Sequence, residues 1–254
     1  DLARSTQAMF ERAVGQCLTT LGKSVALDRL AMAGGCALNG VMNARALRDF
    51  PIDGAYLHAA ASDDGTAVGA AFHCWHQRLG RSERFHMRHA YWGPEHGDAA
   101  IAAALDGCPF PVRECASPQA AVGVAADLIA AGAVTGWYQG RSEWGPRALG
   151  NRSILANPAI PDMKERINRK IKRRESFRPF APSVLRRAVG RYFEQDIASP
   201  FMMRVVRFRS EWRDSFPAVT HVDGTGRLQS VEEAENPLYF ALLGAMEART
   251  GHPM

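Results

Sequence analysis

The 254-residue chain has no apolar run approaching the roughly twenty residues that a membrane span needs. Its opening stretch, Asp1–Arg12, is polar and does not read as the apolar core of a signal peptide. Cysteine is sparse. Cys17, Cys36, Cys74, Cys108 and Cys115 are scattered and form no Cys-x-x-Cys pair. This excludes a disulfide framework and a cysteine-rich zinc module, and it predicts buried thiols in a reducing cytoplasm. Internal repeats and low-complexity segments are missing. So is a basic stripe along the chain: 31 Lys and Arg against 26 Asp and Glu leave a formal charge of +5, and the excess is gathered between Arg141 and Arg191. That local concentration argues against nucleic acid as a partner and for a nucleotide or a small phosphate.

What remains is 46% hydrophobic and 22% charged, the composition of a globular α/β protein with one large or two ordinary domains. A helix capped at Ser5 or Thr6 carries Met9, Phe10, Val14, Leu18 and Leu21 at helical spacing. Gly15 and Gly22-Lys23-Ser24 lie too far apart for a phosphate loop. Arg29–Ala33 reads as a strand running into Gly34-Gly35-Cys36-Ala37-Leu38-Asn39 and a helix over Val41–Arg48. Strand, glycine pair and helix N-terminus suit either a nucleotide contact or a plain tight turn, and the residues alone favour the turn. Ala55–His58 is a second strand, followed by Ser62-Asp63-Asp64-Gly65 and an Ala/Gly-rich helix to about Leu79. Adjacent aspartates there serve as helix cap or as ligands of a metal or a ribose, and the cap is the simpler reading. His73-x-x-His76 and His86-x-x-His89 lack the carboxylates or cysteines that would complete a zinc site. Arg81–Gly97 is polar and aperiodic, a connection between domains. Beyond it, Ser117 caps a helix to Ala131. Strands are expected at Ala133–Tyr138, Ser153–Ala156, Ser183–Leu185 and Phe201–Phe208, with a basic helix at Asp162–Lys172, a turn at Asp223–Arg227 and a helix from Asn236 to about Thr250.

The most informative stretch runs from Gly140 to Pro182. It reads Gly-Arg-Ser-Glu-Trp-Gly-Pro-Arg-Ala-Leu-Gly-Asn-Arg-Ser-Ile-Leu-Ala, then Lys-Glu-Arg-Ile-Asn-Arg-Lys-Ile-Lys-Arg-Arg-Glu, then Phe-Arg-Pro-Phe-Ala-Pro. Gly140, Gly145 and Gly150 recur at five-residue spacing around Trp144-Gly-Pro146, with Arg141, Arg147 and Arg152 beside them. Glycines that let backbone approach a ligand, next to arginine forks, suit a poly-anionic substrate. Lys164, Arg166, Arg169, Lys170 and Arg173 surround a short helix, so about half of them face solvent. Trp144 and Phe180 read as core anchors.

These motifs resemble the nodulation-type O-carbamoyltransferases (the NodU/CmcH family), and the resemblance covers nearly the whole chain. It implies a partial actin/hexokinase-like (ASKHA) domain over residues 1–92, followed by a YrdC-like α/β domain over 93–254, with pieces of both lying outside the chain. It implies an ATP-dependent reaction, with Mg accompanying ATP, in which carbamoyl phosphate becomes a carbamoyl adenylate. The carbamoyl group then passes to a hydroxyl of a small molecule or glycan. Position by position, Gly34, Gly35 and Asn39 match an adenosine-binding turn, and Asp63 matches a ligand of a divalent, iron-like metal whose partner histidines lie outside the chain. Arg147 and Lys172 take the catalytic positions, while Arg141, Arg174, Arg178 and Arg227 bind substrate or nucleotide. A homodimer is compatible with this. The other readings are a threonylcarbamoyl-adenylate enzyme of tRNA modification and a non-catalytic RNA-binding module, whose RNA affinity would be salt-sensitive and indifferent to carbamoyl phosphate.

Overall fold

A computed structural model describes residues 1–254. Helix α1 (Leu2–Leu21) starts directly after Asp1, ahead of the expected Ser5/Thr6 cap. Thr6 lies inside the helix and donates its hydroxyl to Leu2 O at 3.0 Å. The inward stripe of α1 places Leu18 against Leu27, Met42 and Ala46. Strand β1 (Arg29–Met32) pairs in parallel with β2 (Gly54–Leu57), and helix α2 (Gly40–Asp49) connects them. A 3-10 turn at Asp63–Gly65 leads into α3 (Thr66–His73), which a π-turn over Cys74–Arg78 prolongs. Irregular chain follows, then α4 (Asp98–Leu105), a short alanine-rich helix that buries no residue and shows no apolar stripe by which it could be read.

In the second unit, Ser117 Oγ accepts from Ala120 N at 3.1 Å to cap α5 (Pro118–Ala130). Strands β3 (Thr135–Tyr138) and β4 (Arg152–Leu155) form an antiparallel pair, followed by α6 (Met163–Ile167), which a π-turn at Asn168–Lys172 prolongs. Then come β5 (Ser183–Leu185), α7 (Val189–Tyr192), β6 (Arg204–Arg207), β7 (Thr225–Val231) and α8 (Pro237–Thr250). The sheet order is β5-β7-β6, with β7 parallel to β5 and antiparallel to β6. This corrects the expected turn at Asp223–Arg227. The turn ends at Gly224, and Arg227 is a residue of the central strand, opposite Val205. Covered on both faces, β7 lacks the alternation that would announce a strand.

The main core joins α5, α8 and this sheet through residues such as Ile129, Val184, Phe208, Leu228 and Leu242. A second cluster crosses between the halves of the chain, bringing Ala37, Leu57 and Ala59 against Leu149, Phe201 and Met203. Buried Asn43 of α2 reinforces that seam, its Nδ2 donating to Ala37 O at 2.8 Å and Met203 O at 2.9 Å. No helix is long and apolar enough to cross a membrane. The cysteines depart from expectation: Cys17, Cys36 and Cys74 are exposed, and Cys108 and Cys115 are partly so. Their neighbours Leu18 and Ala37 take the inward positions that Cys17 and Cys36 would need.

Candidate anion-binding site

The loop between β3 and β4 is held by its own polar groups. One carboxylate oxygen of Glu143, Oε1, accepts from the amides of Leu149, Asn151 and Arg152 at 2.6, 2.9 and 3.2 Å. Arg152 closes the loop by donating to Gln139 O, Asn151 O and Gly140 O, with its guanidinium 3.6 Å from the Tyr138 ring centre. Buried Asn151 and Asn236 bond to each other at 2.8 Å, and Gln229 Nε2 donates to Leu149 O at 2.7 Å. Two of the three spaced glycines let this backbone approach other parts of the protein closely. A Cβ on Gly145 (φ 115°) would lie 2.7 Å from Ala59 O, and one on Gly150 (φ 108°) would lie 2.3 Å from the Tyr239 ring. Trp144 anchors the loop to the first half, its Nε1 donating to Asp64 O at 3.0 Å. The loop thereby carries Arg147 to the seam, where its Nη2 donates to Leu38 O at 3.3 Å.

A second organiser is Asn168, which is fully buried. It donates to Arg178 O at 2.7 Å and Ser176 O at 3.2 Å, and its Oδ1 accepts from Arg174 Nε at 2.7 Å. Arg173, in the left-handed conformation at φ 48°, ends the π-turn and sends Arg174 back across the Phe180 ring, 4.9 Å from its centre.

Arg147, Arg174, Arg178 and Arg227 meet in one cavity of about 400 Å³, lined also by Leu38, Gly40, Val41, Phe180, Val205 and His221. Arg178 has a partner in Glu175 at 3.3 Å, but no ion pair of the chain involves Arg147, Arg174 or Arg227. The Nε atoms of Arg147 and Arg227 are buried without a hydrogen-bond partner. Burial lowers the pKa of Arg147. Burial, with the fields of Arg147 and Arg174, pulls Arg227 down to about 10. Cations crowded without counter-charge are unfavourable unless an anion joins them.

The other anticipated residues lie elsewhere. Lys172 sits exposed at the end of the π-turn and does not line the cavity. Arg141 is also outside it, donating to Trp92 O at 3.1 Å. Gly34, at φ 95°, caps the 3-10 helix Gly35–Leu38, and both Gly34 and Gly35 are exposed. Asn39 uses its Oδ1 to cap α2 at Met42 N (3.0 Å) and its Nδ2 to reach Gln7 at 2.8 Å. Asp63 is exposed in its 3-10 turn and caps nothing with its side chain. No group of three or more His, Cys, Asp or Glu side chains is arranged to hold a metal, so the residues present do not by themselves fit the implied divalent ion. Glu143, Asn168 and His221 were not singled out by sequence reading. The Glu143 and Asn168 motif positions carried the signal, but their roles depend on backbone groups that no residue pattern displays.

The chain is thus a mixed α/β protein in which arginines without carboxylate partners converge on one cavity. The family model for the carbamoyltransferase C-terminus matches residues 126–254, and that for the carbamoyltransferase N-terminus matches residues 1–72. The chain belongs to this carbamoyltransferase family. It is 42% identical over 259 residues to the nodulation protein NolO of Bradyrhizobium diazoefficiens, covering all of this chain and 47% of that protein. Against the nodulation protein NolNO of Sinorhizobium fredii it is 42% identical over 261 residues, covering all of this chain and 38% of that protein. Against the 3'-hydroxymethylcephem-O-carbamoyltransferase of Amycolatopsis lactamdurans it is 34% identical over 226 residues, covering 87% of this chain and 40% of that protein. The chain thus spans less than half the length of these curated relatives.

Proposed function

We propose that the arginine cavity binds carbamoyl phosphate in an ATP-dependent O-carbamoyltransferase. In this reading carbamoyl phosphate and ATP give a carbamoyl adenylate, whose carbamoyl group then passes to a hydroxyl of a small molecule or glycan. The single observation that carries it is the convergence of Arg147, Arg174 and Arg227 without any carboxylate partner. Arginine offers planar, permanently charged forks to phosphate oxygens. Fixed cations of this kind stabilise charge gathering on a reacting phosphoryl or carboxyl oxygen without reorganising. Arg174 and Arg178 are held by Asn168 on the segment that follows Lys172 in sequence, and ATP's phosphates with their Mg are assigned to that side; the catalytic role of Lys172, which does not line the cavity, is carried by the resemblance alone. The YrdC-like and actin/hexokinase-like assignments, with their boundary at residue 92, belong to the same reading. No step is assigned to a metal at Asp63, since this chain offers that carboxylate alone.

Calorimetric titration with carbamoyl phosphate, beside inorganic phosphate, tests the proposal. Saturable binding that prefers carbamoyl phosphate and weakens by on the order of a hundredfold in Arg147→Ala is the expected result. Equal binding by wild type and Arg147→Ala would overturn it.

A further inference from the structure

The side chains that line the arginine cavity are, but for one, hydrogen-bond donors or apolar groups. Arginine has five N–H donors and no acceptor, and Leu38, Val41, Pro179, Phe180 and Val205 offer no polar side-chain atom. His221 is the one lining side chain that can accept a hydrogen bond. Its protonation pattern follows from its neighbours. Thr225 Oγ1 lies 2.7 Å from Asp223 Oδ1 and 3.0 Å from His221 Nδ1. Burial opposes ionisation of Asp223, but the Thr225 hydroxyl and amide, with His221 and Arg207 nearby, hold its pKa below the ordinary value. An ionised carboxylate only accepts, so the Thr225 hydroxyl spends its single proton on Asp223. Its oxygen then accepts from His221, which places the ring proton on Nδ1 and leaves Nε2 with a free lone pair. Nε2 makes no hydrogen bond within the chain, and His221 is one of the residues that line the cavity.

We propose that His221 is a specificity-determining residue. Its Nε2 accepts an N–H of the carbamoyl amino group, so that the cavity selects carbamoyl phosphate over acyl phosphates that carry a methyl group there. The inference rests on the reading of the cavity as the carbamoyl phosphate site. Side chains that only donate do not distinguish acetyl phosphate from carbamoyl phosphate, because the two share their phosphate and carbonyl oxygens and differ in a methyl against an amino group. The charge environment supports a neutral ring. Burial pushes the His221 pKa down, Asp223 pulls it up, and Arg227 on β7 and Lys164 on α6 push it down further. Arg147 and Arg174 face it across the same cavity with the same sign. The imidazole is therefore an acceptor at neutral pH, and protonation would make Nε2 one more donor.

The test is calorimetric titration of wild type, His221→Gln, His221→Asn, Arg147→Ala and Arg227→Ala with carbamoyl phosphate, acetyl phosphate and inorganic phosphate. Gln places an amide oxygen near the Nε2 position, whereas Asn reaches only to the Nδ1 position. Wild type is expected to prefer carbamoyl over acetyl phosphate by about tenfold, the scale of one hydrogen bond. His221→Asn brings that ratio to about one and His221→Gln restores part of it, while inorganic phosphate binds all three alike. In wild type the ratio holds from pH 7 to 8 and falls below about pH 6. Acetyl and carbamoyl phosphate titrate alike, so their own ionisation cancels in the ratio. An undiminished ratio in His221→Asn, with both arginine variants dead to phosphate, overturns the role of His221 and leaves the cavity reading intact. Phosphate binding that survives in both arginine variants overturns the cavity reading itself.

Discussion

Arg227 shows how a binding residue can work against the fold that holds it. It lies on the central strand β7, opposite Val205, with Arg147 and Arg174 close enough to help lower its pKa to about 10 and no carboxylate to offset them. In the ligand-free chain this charge is desolvated and repelled. Replacing it by a similarly long apolar side chain removes both costs, and such replacements often stabilise by about 1–4 kcal/mol. Arg227→Met is therefore expected to melt higher than wild type, by roughly 2–4 °C for each kcal/mol gained in a chain of this size. Phosphate should raise the melting temperature of wild type and leave that of Arg227→Met unmoved. Differential scanning calorimetry with and without phosphate checks both halves. A variant that melts lower than wild type would mean that Arg227 has a stabilising partner, and that the cavity is not a store of unpaired charge.

Among the elements, the β3–β4 loop bears most on the site, because its backbone fixes where Arg147 stands. Gly150 has φ 108° and would thrust a Cβ to 2.3 Å from the buried Tyr239 ring, whereas a Cβ at Gly136 in β3 would meet nothing within 4 Å. Gly150→Ala combines a forbidden backbone angle with overpacking, each worth about 1–3 kcal/mol. A loss of about 3 kcal/mol is expected in urea unfolding, against a change within about 1 kcal/mol for the Gly136→Ala control. Similar midpoints for the two variants would refute this account of the loop. The contrast also shows what could be read from residues alone. The five-residue glycine spacing and the neighbouring arginines were visible as a motif, and three of the anticipated arginines do meet Arg147 in one cavity. That the glycines serve contacts with Ala59 and Tyr239 was not visible, since those partners lie far away in the chain. Strand β7 was hidden for a related reason: Gln229 and Ser230 are buried polar residues whose hydrogen bonds come from distant parts of the chain. Helices with clear stripes or caps, such as α5 and α8, were legible because their signals are local.

At the scale of the whole molecule, the halves are unequal in what they bury. The cluster built by α5, α8 and the β5-β7-β6 sheet has 20 buried residues, whereas the cluster private to α1, α2 and their strands has four. The seam cluster takes Leu149, Phe201, Met202 and Met203 from the second half to cover Ala37, Leu57, Ala59 and Ala61 of the first. Helix α3 buries no residue at all. A segment of about ninety residues with so small a core cannot offset its conformational entropy, whereas the larger cluster can. Cutting between residues 92 and 93 should therefore give two pieces of opposite behaviour. Residues 93–254 are expected to unfold cooperatively, while residues 1–92 alone show no cooperative transition and rapid amide exchange throughout. Mixing the pieces should slow exchange in the first through the seam, most of all at Ala37 and Asn43, which the Asn43 side chain ties to Met203. Independent cooperative unfolding of residues 1–92 would show that the seam is a contact between finished domains. Its failure to fold alone would mean that the wall of the arginine cavity formed by Leu38, Gly40 and Val41 exists only when the second half is there to hold it.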